Sequence, residues 1–429
     1  MHPDAHELSN APFGLLGRKL GHSWSPRIHA TLGSSPYSLF EREPDEVEQF
    51  VRNGCWKGIN VTIPYKHEAA LLADMRSPRV DRLGVANTLV RTDDGRIWAD
   101  NTDVLGFSWM LERFLRTSFD QTPIEALEDK KVLVLGSGGA SQAVRAALED
   151  AHARIVVVSR YGQETYATLE ERHSDAVLVV NTTPVGMYPN CPDSPVSQQK
   201  LEALGALRGV LDVVYNPERT GICLAAERLG LPYESGLAML VSQAFFSSQS
   251  FLEHDLDESL VAKIEEGLRK QTRNVVLIGM PGCGKTSAGR KLARMAGRPF
   301  VDLDDTFVID HKITPAECIR TRGEDEFRRL ETKTAAAYGS GSGLVIACGG
   351  GIVTREHNYD LLHQNGTIVF LDRPIEELSS EDRPLSQTKG VQRLAAERMG
   401  SYNAWADLRI KCTGSSEGDA VLIRSLLGL

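Results

Sequence analysis

At 429 residues, 41% hydrophobic and 24% charged, the chain has the composition of an ordinary globular protein and the length of about three compact units. A net charge of −9 excludes a general nucleic-acid binder, and no apolar run reaches the roughly 18 residues that a membrane span needs. The seven cysteines (Cys55, Cys191, Cys223, Cys283, Cys318, Cys348, Cys412) form no C-x-x-C pair, which indicates reduced thiols in a cytoplasm rather than a disulfide frame or zinc site. The opening MHPDAHELSN has neither a basic region nor an apolar stretch, so no signal peptide is expected.

Residues 12–17 (PFGLLG) read as a strand leading into Gly21-His22-Ser23-Trp24-Ser25-Pro26. Ser23 and Ser25, held between Gly and Pro, can aim two hydroxyls at one polyol; an ordinary Ser/Pro turn uses the same residues. Residues 58–66 (GINVTIPYK) read as a short strand ending at Pro64, with Asn60, Thr62 and Lys66 near one another. A lysine at a strand exit is by default a solvated charge. Residues 84–90 (GVANTLV), which contain Asn87, precede Asp100-Asn101-Thr102-Asp103. Polar groups placed directly after apolar stretches serve either as turn caps or as a pocket at strand ends.

Residues 130–147 are an apolar strand, then Gly136-Ser137-Gly138-Gly139-Ala140, then a helix. This is a dinucleotide-type turn, with Ser141 where the strictest fingerprint has Gly or Ala. A second apolar strand, 154–158, ends about 20 residues after the turn, where an NAD site wants an acid on the ribose. Ser159-Arg160 stand there instead, and a guanidinium suits a 2′-phosphate, so the expectation is NADP(H) rather than NAD. The alternative is a plain α/β turn with a surface arginine. Strands at 176–181 and 209–215, the latter holding Val213 and Tyr215, alternate with helix signals and predict a parallel sheet covered on both faces. Residues 235–251 read as an apolar helix opening on Gly236, with Gln243 a lone amide on it; 255–273 read as a charged helix and a short join.

Residues 274–287 (NVVLIGMPGCGKTS) match G-x-x-x-x-G-K-[ST] through Gly279, Gly284, Lys285 and Thr286, after an apolar strand and before a helix. Glycines let the backbone wrap a phosphate, the lysine adds charge, and the threonine can reach Mg²⁺. In 299–310 (PFVDLDDTFVID), strand alternation predicts Asp302 and Asp304 on the same side of a strand end. Residues 323–331 read as helical, placing Arg328 four residues after Glu324. A buried strand at 344–351 runs into Gly349-Gly350-Gly351, which predicts close approach to a ligand. A strand follows at 368–372, then a short polar flap at 381–385 with Arg383, then a helix at 397–406 carrying Arg398.

These motifs resemble two enzyme families joined head to tail. Residues 12 to about 255 resemble shikimate dehydrogenase through HSWSP, NVTIPYK, ANTLV, DNTDVLGF, LGSGGA, NTTPVGM, DVVYNP and GLAMLVSQA. Residues 274–429 resemble shikimate kinase through GMPGCGKT, FVDLDDTF, GEDEFRRLE, CGGGIV, DRPL and the 397–406 helix. The resemblance implies an α/β fold: a substrate lobe over 1–105 completed by 236–270, a Rossmann-type NADP lobe over 106–235, closing helices and linker over 236–273, and a P-loop kinase domain with a parallel sheet over 274–429.

It also implies that Ser23, Ser25, Thr62, Asn87, Asp103, Tyr215 and Gln243 surround the substrate ring, with Lys66 and Asp103 the catalytic pair. NADP(H) would lie on Gly136, Ser137, Gly138, Gly139, Ala140, Ser159, Arg160, the 181–187 loop, Val213 and Gly236. Ser159 departs from the Asn often found in NADP-using relatives. Gly282, Cys283, Gly284, Lys285, Thr286 and Ser287 would hold ATP, and Thr286 with Asp302 would position Mg²⁺. Asp304, Arg328, Gly350, Gly351 and Arg398 would bind shikimate, with Lys285, Asp304 and Arg383 acting in phosphoryl transfer. The stretch from Asp372 to Arg383 is shorter than the family's lid approach, lacks its basic residue, and has Ser386 after Leu385 where relatives often have Leu. The expected partners are 3-dehydroshikimate and shikimate, with no nucleic acid or membrane. One alternative is a quinate/shikimate dehydrogenase using NAD, with a kinase half of weak or regulatory-only activity; the NAD-linked reading predicts an acid near Ser159, and none stands there. A second makes one half a binding or regulatory module without turnover; it predicts loss of Lys66, Asp103, Lys285 or Asp304, and all four are present.

Overall fold

The computed structural model describes residues 11–21, 23–378 and 390–429. The chain divides into two compact units. The first holds residues up to Pro184 together with Pro195–Tyr215 and Ala225–Glu266; the second holds Val185–Ser194, Asn216–Leu224 and Gly267–Leu429. Among the described residues the strands form three sheets, two in the first unit and one in the second.

The first sheet contains β1 (Phe13–Gly17), β2 (Tyr37–Glu41), β3 (Gly58–Val61), β4 (Met75–Arg76), β5 (Thr88–Arg91) and β6 (Ile97–Asp100), in the order β2-β1-β3-β5-β6-β4. It is mixed: β5 runs antiparallel to both β3 and β6, while the other pairs are parallel. The antiparallel β5–β6 pair is joined by a tight turn, where Gly95 takes a left-handed φ of +84°. All four residues of β3 are buried, as expected of a central strand covered on both faces.

The second sheet contains β7 (Lys131–Leu135), β8 (Arg154–Val158), β9 (Ala176–Asn181), β10 (Gly209–Asp212) and β11 (Tyr233–Glu234), in the order β11-β10-β9-β7-β8. Every pair in it is parallel. The order reverses at β7, so a crevice opens at the end of that strand, where the glycine turn lies.

Two long helices tie these sheets together. In Thr102–Phe119 the apolar residues Val104, Phe107, Leu111, Phe114 and Leu115 recur at helical spacing and are buried against Val132, Val134 and Leu178 of the second sheet. Its partner, Leu237–Leu252, approaches so closely that a methyl on Gly106 would lie 2.8 Å from Gln243 Cβ and 2.9 Å from Met239 O. Glycine at 106 therefore sets how near Gln243 stands to the first helix.

Ser141, in the helix Gly139–Asp150, is 1% exposed and its Oγ has no hydrogen-bond partner. A buried hydroxyl without a partner costs stability, and alanine is the better helix former. Ser141→Ala is therefore expected to raise unfolding free energy by up to about 1 kcal/mol in urea titrations. A loss of similar size would show that the hydroxyl is satisfied.

The second unit is built on β12 (Asn274–Ile278), β13 (Phe300–Asp302), β14 (Val345–Ala347), β15 (Gly366–Asp372) and β16 (Leu408–Lys411), ordered β13-β14-β12-β15-β16 and all parallel. Central β12 is apolar on both faces. Val276 and Ile278 join one core with Phe370 and Tyr402, while Val275 and Leu277 join another with Leu292 and Ile423.

Several expected boundaries shift. β3 ends at Val61 rather than Pro64, and Lys66 opens the helix Lys66–Leu72 instead of closing a strand. β10 ends at Asp212, three residues before Tyr215. The helix carrying Arg398 starts earlier, at Val391. Strand alternation does not place Asp304: β13 stops at Asp302, which caps the helix Leu303–His311, and Asp304 sits in that helix's first turn. The flap at 381–385, with Arg383, lies outside the described residues.

Candidate active sites

In the first unit a pocket of about 250 Å³ brings together Ser23, Ser25, Thr62, Lys66, Asn87 and Asp103. Ala140, Val213, Tyr215, Gly236 and Gln243 line it as well. Lys66 and Asp103 arrive at helix starts, while Gln243 projects from within the helix Leu237–Leu252. β3 ends at Val61, the chain turns through Ile63-Pro64-Tyr65, and Lys66 stands at the next helix start. Asp103 lies in the first turn of Thr102–Phe119, where the helix dipole favours a carboxylate.

Lys66 Nζ donates to Asp103 Oδ2 at 2.6 Å, with the two side chains 23% and 16% exposed. The pair is sheltered yet still reachable by a small molecule. Ser23 Oγ donates to Ser25 Oγ at 3.0 Å and accepts from Ser25 N at 3.2 Å, which locks two hydroxyls side by side. Asn87 Oδ1 accepts from Thr102 N at 2.7 Å, and its Nδ2 reaches Gln243 Oε1 at 3.5 Å. Burial raises the Tyr215 phenol above its usual range, so it stays protonated as a donor.

Asn60, not expected among the site residues, lines the same pocket. Its Oδ1 accepts from Tyr37 Oη at 2.9 Å, and its Nδ2 donates to Thr88 Oγ1 at 3.3 Å. The available signal was one amide inside the otherwise apolar, fully buried β3.

The glycine turn after β7 suits a dinucleotide. Gly136 has φ +101°, and a methyl there would lie 2.8 Å from Thr183 Cγ2. A methyl on Gly138 or Gly139 would meet nothing within 4 Å, so the start of the Gly139–Asp150 helix, with Ser137 beside it, faces open space of the kind a pyrophosphate fills. Ser159 and Arg160 follow β8 directly, with the Arg160 guanidinium 5.8 Å from the Tyr161 ring. Gly236 is forced by packing, because a methyl would lie 2.1 Å from Val213 O.

In the second unit Gly279, Gly282 and Gly284 take φ of +144°, +86° and +100°, conformations that only glycine adopts readily. They curl the chain ahead of the helix Lys285–Ala296. Lys285 Nζ donates to Gly279 O at 2.9 Å and Met280 O at 3.0 Å, folded back over the loop. Cys283 is fully buried, so it offers the loop its backbone and not its thiol, while Ser287 is exposed in the first helical turn. Thr286 Oγ1 donates to Asp302 Oδ2 at 2.7 Å. Among the described residues no group of three or more His, Cys, Asp or Glu could hold a metal. Two oxygens suit Mg²⁺, which keeps waters and takes its other ligands from phosphate.

Next to this loop lies a charged cluster. Arg328 Nη1 donates to Glu331 Oε2 at 2.7 Å, with both side chains about as buried as core residues. A methyl on Gly351 would lie 2.1 Å from Arg328 Nη1, and one on Gly349 would lie 2.9 Å from Asp304 Oδ1. Gly351 thus makes room for the guanidinium and Gly349 for the acid, while Gly350 packs on Pro281. Arg398 Nη1 donates to Gly350 O at 2.9 Å, and Tyr402 Oη donates to the same oxygen. Nε of Arg328 and Nε of Arg398 are buried without hydrogen-bond partners. Two such donors in one cluster fit an anionic ligand. Burial pushes the Glu331 carboxyl up, against the Arg328 guanidinium that pulls it down. Glu331, three residues after Arg328, was legible only as a helix neighbour.

The folds are those of a two-sheet oxidoreductase with a Rossmann-type lobe and, later in the chain, a P-loop kinase. A family model described as the shikimate dehydrogenase substrate binding domain matches residues 15–89, and one described as shikimate kinase matches residues 281–426. A shikimate dehydrogenase (NADP(+)) of Clostridium perfringens is 35% identical over 279 residues, covering 60% of this chain and 98% of the relative. One from Clostridium beijerinckii is 32% identical, covering 58% and 94%. Among solved structures, a chorismate mutase/shikimate 5-dehydrogenase fusion protein from Clostridium acetobutylicum is 33% identical, with a TM-score of 0.53 over 60% of this chain and 97% of that one. Shikimate 5-dehydrogenase from Thermus thermophilus, in complex with NADP(H) and shikimate, is 27% identical with a TM-score of 0.51, covering 59% and 98%. The chain belongs to the shikimate dehydrogenase family and carries a shikimate kinase domain behind it.

Proposed function

We propose that this bifunctional shikimate-pathway enzyme reduces 3-dehydroshikimate to shikimate with NADPH and then phosphorylates the shikimate 3-hydroxyl with ATP, serving aromatic amino acid biosynthesis in the cytoplasm. The observation that carries the first reaction is the 2.6 Å Lys66–Asp103 contact in one pocket with the paired hydroxyls of Ser23 and Ser25. NADPH, when bound on Gly136–Ala140 with Arg160 at its 2′-phosphate, supplies the hydride.

The chain's part is to place the ketone and manage its oxygen. Ser23, Ser25 and Tyr215 donate to the ring carboxylate, and Thr62, Asn87 and Gln243 to its hydroxyls. The Lys66 ammonium steadies the negative charge that grows on the carbonyl oxygen, and the Lys66–Asp103 pair delivers the one proton that makes it a hydroxyl. Val213 and Gly236 bound the nicotinamide side of the pocket. Arg160 in place of an acid favours NADP over NAD.

For the second reaction, the loop Gly282–Ser287 cradles the phosphates and Lys285 meets them with a point charge. Thr286 and Asp302 would hold Mg²⁺, which when bound neutralises phosphate charge. Arg328 and Arg398 take the shikimate carboxylate in forked pairs, Gly350 and Gly351 let it approach, and Asp304 accepts the proton from the attacking hydroxyl. Arg383 is assigned to the transferring phosphate by resemblance alone.

The test is one cuvette holding the full chain, 3-dehydroshikimate, NADPH and ATP-Mg, with NADPH absorbance and ADP release followed together. Loss of NADPH followed by stoichiometric ADP is expected. No NADPH loss removes the first assignment, and oxidation without ADP removes the second.

A further inference from the structure

Arg373 follows β15 directly and stands at the rim of the phosphate loop: a methyl placed on Gly284 would lie 3.8 Å from its Nη2. Its side chain is only 17% exposed. Among the described residues its ion-pair partner is the fully buried Asp419, but Nη2 and Oδ2 are 3.6 Å apart, too far for a hydrogen bond. Arg373 Nε and Asp419 Oδ2 are both buried without hydrogen-bond partners. Asp419 instead uses Oδ1, accepting from Thr413 N at 2.6 Å and Thr413 Oγ1 at 2.9 Å. The Cys412 thiol also lies beside the guanidinium, and sulfur is a weak acceptor.

A mostly buried guanidinium with a loose partner is costly unless something completes its hydrogen bonds. It sits beside a loop whose backbone is shaped for a polyanion. A guanidinium pairs with phosphate oxygens through short, charge-assisted bonds. We propose that Arg373 is a nucleotide-binding residue, turning from Asp419 to donate to a phosphate oxygen of the nucleotide held by the Gly279–Thr286 loop. It thus adds a second cation to Lys285. This rests on the kinase reading above.

The experiment is calorimetric titration of the full chain with MgADP, for wild type, Arg373→Ala, Arg373→Lys and Asp419→Asn, with dehydrogenase turnover and the kinase KM for shikimate measured on each preparation. Arg373→Ala is expected to weaken MgADP by about tenfold or more while the shikimate KM stays within about twofold. Arg373→Lys should recover most of the loss, and Asp419→Asn should bind MgADP at least as tightly as wild type. Unchanged MgADP affinity in Arg373→Ala overturns the proposal. So does an Asp419→Asn loss as large as that of Arg373→Ala, since the pair would then be a structural strut. If wild type itself binds no MgADP, the kinase reading fails and takes the proposal with it.

Discussion

Lys66→Ala is expected to lower dehydrogenase kcat by about 10³ while leaving ATP-dependent phosphorylation of added shikimate within about twofold. Two effects converge on this side chain. In the proposed reaction it would supply a proton to the reacting oxygen, an effect of about 10² to 10⁴ in rate. It would also place positive charge where negative charge develops, in a pocket sheltered enough for that charge to count. Removal leaves Asp103 without its 2.6 Å partner, so the carboxylate would repel the growing alkoxide. Asp103→Asn should be milder, because the ammonium remains. The measurement is NADPH absorbance for one activity and ADP release for the other, on the same preparation. A fall in kcat of less than about tenfold would exclude Lys66 from proton delivery. Loss of both activities in a folded chain would exclude two independent sites.

Lys285→Ala should give the mirror image: phosphorylation reduced by about 10³ or more in kcat/KM, with NADPH oxidation unchanged. Lys285 is 7% exposed and its ammonium is satisfied by Gly279 O and Met280 O, both inside the loop. These carbonyls hold the cation at the loop proposed to cradle the phosphates, so little reordering would be needed when nucleotide arrives. Lys285→Arg is not expected to restore the rate, since a planar fork cannot occupy the position of a compact point charge. Thermal unfolding of each variant checks that the loop has not melted. A Lys285→Ala enzyme with near-normal MgATP KM and kcat would remove the loop from catalysis.

Motif turns were the most legible features. Gly136, Gly279 and Gly284 all adopt the positive φ that a phosphate-type turn requires, because only glycine takes it without steric cost. Pro64 and the apolar run before it foretold where the first site's chain turns, though β3 ended three residues earlier than expected. Asp302 and Asp304 show the limit of periodicity. Alternation presumes that the strand continues, but Asp302 accepts from Asp304 N at 3.0 Å and so starts a helix. A capping hydrogen bond of this kind overrides a two-residue period, and nothing in VDLDD states which will prevail.

The chain's sequence by itself determined its class of fold and the two phosphate-type turns, and it named candidate site groups from Ser23 and Lys66 to Lys285 and Arg398, though not Asn60 or Glu331. Those properties are local: they depend on which residues can bend, end or bury a short segment. Only the tertiary structure decided the geometry in which distant groups meet, and which further groups join them. The antiparallel β5, the closeness of Gln243 to Gly106, the pairing of Arg328 with Glu331 under Gly351, and the loose Arg373–Asp419 contact all depend on sheet order and helix packing. Packing sums many small contacts across the whole chain, so no single stretch of residues encodes it.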